Sequence, residues 1–368
     1  MKSKILFILH IPPPINGAAL VGEYIKNSIQ INSYFDTDYV NLTASFSLDK
    51  INKGGLDKFR IILSIIRNVL KKLNKSNYDL CYMTFTATGP GFYKDFIIVL
   101  ILNLFKVKVV YHFHNKGIAH NSKKWYNGVL YKYIFKNARC ILLAPSLYYD
   151  IKKYVNKENI YFCPNGIPDL TQSIISNDIE ESKPIRFLFL SNMLRQKGVL
   201  ELLEACQIVQ SVNVNFECHF IGAWADVTEE EFISTVDSLG INDIVIFHGK
   251  KYGQEKVAFF EDCDVFVFPT FYHNECFPLV LLEAMQFGLP IITTSEGAIE
   301  EIVINNETGI IVEQKNVAAL AEAMINMIKE PKIREDYGVA GKKRFKEKFT
   351  LSIFEKRLQS ILINVLNN

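Results

Sequence analysis

The chain has 368 residues, of which 49% are hydrophobic and 22% charged, a balance typical of soluble globular proteins and unlike that of disordered or membrane-spanning chains. The formal net charge of +2 conceals an asymmetry, since residues 1–184 hold 24 Lys+Arg against 13 Asp+Glu and residues 185–368 hold 17 against 26. A basic first half beside an acidic second half indicates that the first half faces an anionic partner.

The first element is a short buried strand rather than a leader. The apolar run at 5–9 is too short for a signal peptide, and no small-residue cleavage site follows it. The longest apolar run, at 96–105, has about half the length of a membrane span. Seven single cysteines without a Cys-x-x-Cys pair favour a reducing compartment and no zinc site. We therefore expect a cytoplasmic protein without a transmembrane segment.

Short β-type runs alternate with helical patterns along both halves of the chain. Four strands are predicted in the first half and six in the second, at 4–11, 79–86, 107–114, 140–146, 185–193, 215–223, 243–249, 263–270, 289–295 and 308–313. Helical spacing lies between them, at 59–73, 92–105, 199–209, 253–263, 278–287 and 317–330. Strands that are apolar on both faces and alternate with helices predict parallel sheets covered on both sides. The fold class is therefore α/β, with two doubly wound, Rossmann-like domains.

The boundary between the two series is a polar, acidic and turn-rich segment. It predicts a first domain at 1–165, a linker at 166–184 and a second domain at 185–349. The tail at 350–368 forms one or two amphipathic helices, which either cap the second domain or cross back onto the first. Because ligands bind beyond the carboxyl ends of parallel strands, we expect the site in the cleft between the domains.

Two histidines end the third predicted strand. His112 and His114 share one face because side chains alternate along a strand, and their place at the carboxyl end directs them to the predicted cleft. A zinc site would need a third ligand, and no residue is spaced to supply one.

Two basic segments of the first half, 59–75 and 120–139, combine Lys or Arg with aromatic or aliphatic residues at helical spacing. One interpretation is a pair of surface helices with snorkelling lysines. The other is peripheral docking on an anionic membrane, where a lipid-diphosphate acceptor would lie. Nucleic acid is not expected as a partner, because no nucleic-acid-binding module accompanies the charge.

The segment 273–295, HNECFPLVLLEAMQFGLPIITTS, contains a predicted helix from Pro278 to Phe287, which Gly288 ends. The free N–H groups of a helix amino end form an anion site. At this end they belong to Phe277, Leu279 and Val280. Glu275 precedes the helix and Glu283 lies inside it, so an anion at the end would have a carboxylate on either side. Carboxylates accept hydrogen bonds from paired hydroxyls such as those of sugars and riboses.

Three segments, ECFPLVLLEAM (275–285), GLPIITT (288–294) and EGAIEEIVINNETGIIV (296–312), resemble the retaining family 4, or group 1, glycosyltransferases of the GT-B fold. The signature of that family is a pair of glutamates with seven residues between them. The resemblance is dense from about residue 185 to 345 and loose over residues 1–165.

The resemblance implies roles for both glutamates and for a lysine. Glu275 would contact the donor sugar and Glu283 the ribose, while the backbone of 277–280 holds the diphosphate. The segment 189–205 resembles the family's diphosphate-binding loop, in which an arginine and a lysine stand five residues apart. Lys197 matches the lysine, whereas Asn192 stands at the arginine position. Either Arg195 reaches the diphosphate instead, or Lys197 acts with less help.

In the first half, the resemblance implies that His114, and secondarily His112, lies near the donor sugar. The segment 12–20 resembles a glycine-containing loop that approaches donor and acceptor, with Gly17 followed by Ala18 where a second glycine is common. An ordinary strand-to-helix turn is the alternative. This loop is not a G-x-G-x-x-G fingerprint, so it gives little support to nicotinamide binding.

The resemblance thus implies a retaining, metal-independent glycosyltransferase that needs no cofactor. Its donor is a nucleotide diphosphate sugar, with a UDP-sugar favoured and GDP-mannose second. The acceptor is a hydroxyl, expected on a lipid-linked glycan of bacterial surface polysaccharide synthesis, at the inner face of the membrane. Two alternatives stay open: a nucleotide-sugar 2-epimerase of the same architecture, and a non-catalytic partner subunit.

Overall fold

The computed structural model of the chain describes residues 2–43, 55–170, 183–212 and 214–368. Most of the predicted linker at 166–184 lies outside the described residues. The chain divides into two compact units, the first formed by Met1–Gly166 with Leu351–Asn368 and the second by Ile167–Thr350. Ile167, within the predicted linker, already belongs to the second unit, where its N–H donates to the carbonyl of Phe349 at 3.0 Å.

The first unit is built on a six-stranded parallel sheet of order β2-β1-β3-β4-β5-β6. Its strands are β1 Lys4–Leu9, β2 Asp36–Asn41, β3 Leu80–Phe85, β4 Val109–Phe113, β5 Arg139–Leu142 and β6 Ile160–Phe162. The sequence analysis missed β2 and β6. Both lie at the edges of the sheet, where β2 carries polar residues and β6 is only three residues long, so neither shows the apolar run of a central strand.

Helices connect these strands. They are α1 Gly17–Asn27, α2 Ile29–Tyr34, α3 Gly55–Lys75, α4 Gly89–Leu104, α5 Ile118–Asn121 and α6 Trp125–Ile134. Helices α3, α4 and α6 bury side chains such as Val69, Ile98 and Ile134 in one hydrophobic core with β3 and β4. That core is what holds the loops at the carboxyl ends of the strands in place.

The second unit repeats this plan with a parallel sheet of order β12-β11-β10-β7-β8-β9. Its strands are β7 Ile185–Leu190, β8 Phe216–Ile221, β9 Val245–Phe247, β10 Val265–Phe268, β11 Ile291–Thr294 and β12 Gly309–Val312. All six predicted strands of this half are confirmed. The chain runs outward from β7 to β9 and then restarts at β10 beside β7. A doubly wound sheet opens a crevice for ligands at such a switch point.

The helices of the second unit are α7 Val199–Ser211, α8 Glu229–Leu239, α9 Gly253–Asp262, α10 Leu279–Gln286, α11 Ile299–Ile302, α12 Val317–Lys329 and α13 Pro331–Lys348. Helix α10 is one residue shorter at each end than predicted. Pro278 has an extended ψ of 118° and is the residue before the first helical turn, while Phe287 ends the helix.

The C-terminal helix α14, Leu351–Asn367, belongs to the first unit. It packs against α2, where the amide of Gln30 donates to Gln359 at 2.7 Å. Lys108 and Arg139 both donate to the carbonyl of Val365 at 2.8 Å. Of the two positions that the sequence left open, the structure has the tail on the first unit. No helix among the described residues is both long and apolar enough to cross a bilayer.

Candidate functional site

Two loops of the second unit meet at its switch point, the loop after β7 and the loop after β10. The N–H of Phe271 donates to the carbonyl of Gln196 at 2.8 Å, and the hydroxyl of Thr270 donates to the same carbonyl at 3.3 Å. Each loop follows one of the two central strands at the switch, so both lie at the crevice. Their side chains are therefore the first candidates for a ligand site.

The close approach of these loops requires Gly198. Its φ of +82° is unfavourable for any residue with a Cβ atom, and a Cβ there would lie 2.3 Å from the carbonyl oxygen of Pro269. Gly198 ends the 3₁₀ turn Arg195–Lys197 and precedes α7, which directs Lys197 at the neighbouring loop. Gly198 is thus a structural requirement of the loop that carries Lys197.

Lys197 and Glu275 form an ion pair across the two loops. Only 12% and 11% of their side chains are exposed, and the ammonium of Lys197 also lies 5.0 Å from the ring centre of Phe268 and 4.9 Å from that of Tyr272. Partial burial removes competing water, so the two charges hold each other in position. The sequence predicted that both residues bind the donor, but it did not predict that they bind each other.

The amino end of α10 lies directly after Glu275. Among the described residues no side chain caps this end, while Phe277 and Leu279 are buried and Val280 is half-buried. The loop before it is held by Gly297, whose φ is +60° and whose Cβ would lie 2.4 Å from the carbonyl oxygen of Glu275. An uncapped helix end beside a lysine is suited to bind a phosphate.

Glu283, within α10, pairs with Lys256 of α9 at 2.7 Å. The exposed fractions of the two side chains are 16% and 24%, so the carboxylate is paired but still reachable from solvent. The sequence analysis did not predict Lys256. Its partner lies 27 residues away along the chain, and no local pattern signals such a contact.

The two remaining candidates of the diphosphate loop lie apart from the lysine pair. The guanidinium of Arg195 donates to both carboxylate oxygens of Glu231 on α8, at 2.7 and 2.8 Å. Asn192 is exposed just after β7. A contact between Arg195 and a diphosphate would require the pair with Glu231 to open, so its role stays a prediction.

In the first unit, the rings of His112 and His114 lie 4.3 Å apart at the end of β4, consistent with the predicted shared face. His112 is fully buried and its Nδ1 bonds the hydroxyl of Tyr82. Burial lowers the pKa of His112 well below its usual value and that of His114 to about 4. Both rings are therefore neutral at pH 7. Within the described ranges, neither nitrogen of His114 has a hydrogen-bond partner.

The structure adds His10 to this group, a residue the sequence analysis passed over. Its Nδ1 lies 3.2 Å from the hydroxyl of Thr84, and burial together with the charge of Lys94 lowers its pKa to about 3. Its position after β1, one of the two strands at the switch point of this sheet, was the signal available in the sequence.

The predicted glycine loop opens α1 as its first two residues, Gly17 and Ala18. The side chain of Asn16 caps this helix by accepting from the N–H of Ala19 at 3.0 Å. This geometry fits a strand-to-helix turn and leaves the predicted contact with a donor untested. No three His, Cys, Asp or Glu side chains in the described part of the chain group as a metal site, and metal independence also stays a prediction. All seven cysteines are buried free thiols.

The family described as "Glycosyl transferases group 1" matches residues 172–344. These residues include both loops of the switch point, the Lys197–Glu275 pair and Glu283. The resemblance to group 1 glycosyltransferases found in the sequence is thus confirmed for residues 172–344, whereas the family 4 assignment and retention at the anomeric carbon stay predictions.

Curated relatives include three bacterial glycosyltransferases. The capsular polysaccharide biosynthesis glycosyltransferase CapM of Staphylococcus aureus is 31% identical over 47% of this chain and 44% of its own. The D-inositol 3-phosphate glycosyltransferase of Arthrobacter sp. (strain FB24) is 27% identical over 42% and 36%. The D-rhamnosyltransferase WbpZ of Pseudomonas aeruginosa is 25% identical over 62% and 59%. The chain thus spans about half the length of these relatives.

Solved structures share the fold over nearly the whole chain. Sucrose-phosphate synthase from Thermosynechococcus elongatus has a TM-score of 0.76 at 17% identity and covers 100% of both chains. Anabaena Alr3699/HepE in complex with UDP has a TM-score of 0.76 at 15% identity and covers 98% of this chain and 100% of its own. These likenesses confirm the predicted fold class, GT-B with two Rossmann-like domains.

Proposed function

We propose that the protein transfers a sugar from a nucleotide diphosphate sugar to a hydroxyl group with retention at the anomeric carbon. The similarity of residues 172–344 to the group 1 glycosyltransferases supports the proposal. The observation that carries the proposal is the Lys197–Glu275 pair beside the uncapped amino end of α10. It combines a cation, a carboxylate and free N–H groups at the switch point, which are the groups that an activated sugar requires.

The donor binds with its diphosphate at the amino end of α10. The ammonium of Lys197 and the N–H groups of Leu279 and Val280 stabilise the negative charge that develops as the diphosphate departs. Glu275 accepts hydrogen bonds from the sugar hydroxyls and Glu283 from those of the ribose. A UDP-sugar is the first candidate donor, supported by the UDP-glucose complex of Anabaena Alr3699/HepE, and GDP-mannose is the second.

In the reaction, the acceptor oxygen attacks the anomeric carbon on the face from which the diphosphate leaves. The bond from that carbon to the diphosphate oxygen breaks as the glycosidic bond forms, and the acceptor proton passes to the departing phosphate. Glu275, already engaged by Lys197, serves as a binding group and not as a nucleophile. Since Lys197 and the helix end supply the charge compensation, the reaction is proposed to need no metal. His114, a neutral imidazole, is proposed to hydrogen-bond the donor sugar.

The acceptor is proposed to be a lipid-linked glycan of bacterial surface polysaccharide synthesis, met at the inner face of the membrane. The capsular assignment of the staphylococcal relative supports this setting, as does the basic charge of residues 1–184.

The test is incubation of the purified chain with UDP- and GDP-sugars, each with and without lipid-linked or soluble sugar acceptors. We expect nucleoside diphosphate release that depends on an acceptor, persists in EDTA and yields a product with the donor's anomeric configuration by NMR. Conversion of a donor to its 2-epimer without acceptor would replace the proposal with an epimerase. No turnover of any donor, together with no binding of UDP or GDP by calorimetry, would overturn it in favour of a non-catalytic subunit.

A further inference from the structure

The outer surface of α4 exposes a row of apolar side chains. Tyr93, Ile97, Leu100 and Leu104 recur at intervals of four, three and four residues, which aligns them on one side of the helix. All four are exposed, and Leu104 has 78% of its surface accessible to solvent. The opposite side of α4 packs into the core, so this row is not required for the fold of the unit.

A second exposed row lies on α6, which neighbours α4. It consists of Trp125, Tyr126, Val129 and Tyr133, of which Trp125 is 80% exposed. The hydroxyl of Tyr93 donates to Asn127 at 3.0 Å, and the amide of Asn103 donates to the hydroxyl of Tyr133 at 3.4 Å. These bonds join the two helices, so the rows form one continuous surface, which we call the α4–α6 face.

The stretch of chain that holds most of α4 and all of α6 carries only positive charges. From Phe96 to Tyr149 the sequence holds eight Lys+Arg and neither Asp nor Glu. The nearest carboxylate before this stretch, Asp95, is fully buried beside Lys94. Lysines border both rows on the surface, namely the exposed Lys106, Lys123, Lys124, Lys132 and Lys136. A partner for this surface must therefore be anionic as well as apolar.

We propose that the α4–α6 face docks onto an anionic lipid bilayer, with the aromatic and aliphatic rows inserted between headgroups and the lysines on lipid phosphates. This inference deepens the proposed function and rests on its membrane-linked acceptor. Exposed Trp and Tyr beside lysines are characteristic of membrane-interface surfaces, whereas lysine is depleted from protein–protein interfaces. The charge complementarity thus favours lipid over a protein partner.

The first test is flotation of the full chain with vesicles of phosphatidylcholine, with and without phosphatidylglycerol. We expect binding only to the anionic vesicles, weakened as salt is raised. The double variant Leu104→Glu/Trp125→Glu should lower the bound fraction roughly tenfold. Val339→Glu is the matched control, because Val339 is equally apolar and 64% exposed but lies on α13 of the second unit.

The second test uses the fluorescence of the wild-type chain, which has only two tryptophans. Trp224 is half-buried and stacks on Phe247 with ring centres 3.9 Å apart, so Trp125 is the one open to lipid. Anionic vesicles should shift the emission to shorter wavelength. Trp125→Phe should abolish the shift while flotation persists.

Equal binding to both kinds of vesicle, or binding unaffected by the double variant, would overturn the proposal. The proposal would also be overturned if the chain formed a dimer in solution, bound no vesicles, and became monomeric in the double variant. The α4–α6 face would then bind a second copy of the chain. Turnover of a soluble acceptor without vesicles should be unchanged in the double variant. If the wild-type chain shows no turnover at all, the glycosyltransferase function is refuted. The vesicle-binding result is measured separately and would still decide the docking proposal.

Discussion

Lys197 and Glu275, 78 residues apart in the chain, form an ion pair at the switch point of the second sheet. The pair keeps two opposite charges in place before any ligand arrives. A diphosphate can then share the ammonium of Lys197 while sugar hydroxyls donate to Glu275, so little reorganisation accompanies binding.

The first prediction follows from this pair. Lys197→Met and Glu275→Gln should each lower kcat/KM for nucleoside diphosphate release by about 10²–10³, the effect expected when one preorganised charge-stabilising group is lost. Because each residue holds the other, the double variant should lose far less than the product of the two single effects. Steady-state kinetics of the three variants measures this coupling.

Lys332→Met is the matched control for the pair. Lys332 also forms ion pairs in the second unit, with Glu335 and Asp336, but its side chain on α13 is 73% exposed. Its loss should leave turnover within about twofold of the wild type, since exposed ion pairs contribute little. Wild-type turnover in both Lys197→Met and Glu275→Gln would refute the site assignment.

A second prediction concerns Arg195, which Glu231 holds with two hydrogen bonds. If that pair persists when donor binds, Arg195→Ala should lower kcat/KM less than tenfold, well below the effect of Lys197→Met. Glu231→Gln should then have an equally small effect. A loss in Arg195→Ala as large as that in Lys197→Met would instead show that Arg195 moves to the diphosphate and takes the part of the arginine that Asn192 replaces.

The sequence predicted every described strand except the edge strands β2 and β6, and it predicted the residues at the switch point, because apolar strand runs and motif spacing are local properties. It did not predict which charges meet. The contacts of Lys197 with Glu275 and of Lys256 with Glu283 join segments far apart in the chain, and only the folded sheet brings them together. The edge strand β2 was missed because its aspartates break the apolar pattern of a buried strand. They are tolerated there because one side of an edge strand has no neighbouring strand.

A third prediction addresses the ribose role of Glu283. Glu283→Ala should raise KM for the donor about 10–100-fold with a smaller change in kcat, because a ribose contact contributes equally to ground state and transition state. The wild type should discriminate against a 2′-deoxyribose donor, and the variant should not. Lys256→Met tests the ion-pair partner of Glu283, because it removes the ammonium group that pairs with the Glu283 carboxylate. Unchanged discrimination in Glu283→Ala would remove Glu283 from the ribose site.

A fourth prediction concerns the pH dependence of stability. The pKa of His114 is about 4 in the folded state and ordinarily 6.5, so the unfolded chain binds more protons between these values. The free energy of unfolding should therefore fall as pH is lowered from 6.5 towards 4, by about 1 kcal/mol per pH unit for this residue. Urea unfolding at pH 7 and 5.5 should show a weaker pH dependence in His114→Gln.

The fifth prediction tests the packing that holds Glu275. Gly297 and Gly240 both have left-handed φ, +60° and +67°, so alanine at either position carries a backbone strain of about 1–2 kcal/mol. Only at Gly297 would the new Cβ meet backbone, 2.4 Å from the carbonyl oxygen of Glu275, whereas nothing lies within 4 Å of it at Gly240. Gly297→Ala should therefore lose roughly 1–2 kcal/mol more stability in urea unfolding than Gly240→Ala.

The substitution Gly297→Ala should also lower the rate of turnover. Relief of the clash at Gly297 must move the loop that carries Glu275, and a displacement of an ångström at a charge-stabilising group lowers turnover by roughly 10²-fold. Gly240→Ala, at the end of α8, should keep wild-type kcat/KM. If Gly297→Ala lost stability without losing turnover, the loop would tolerate movement. Turnover would then not depend on the exact position of Glu275, and the ion pair with Lys197 would not act by fixing that position.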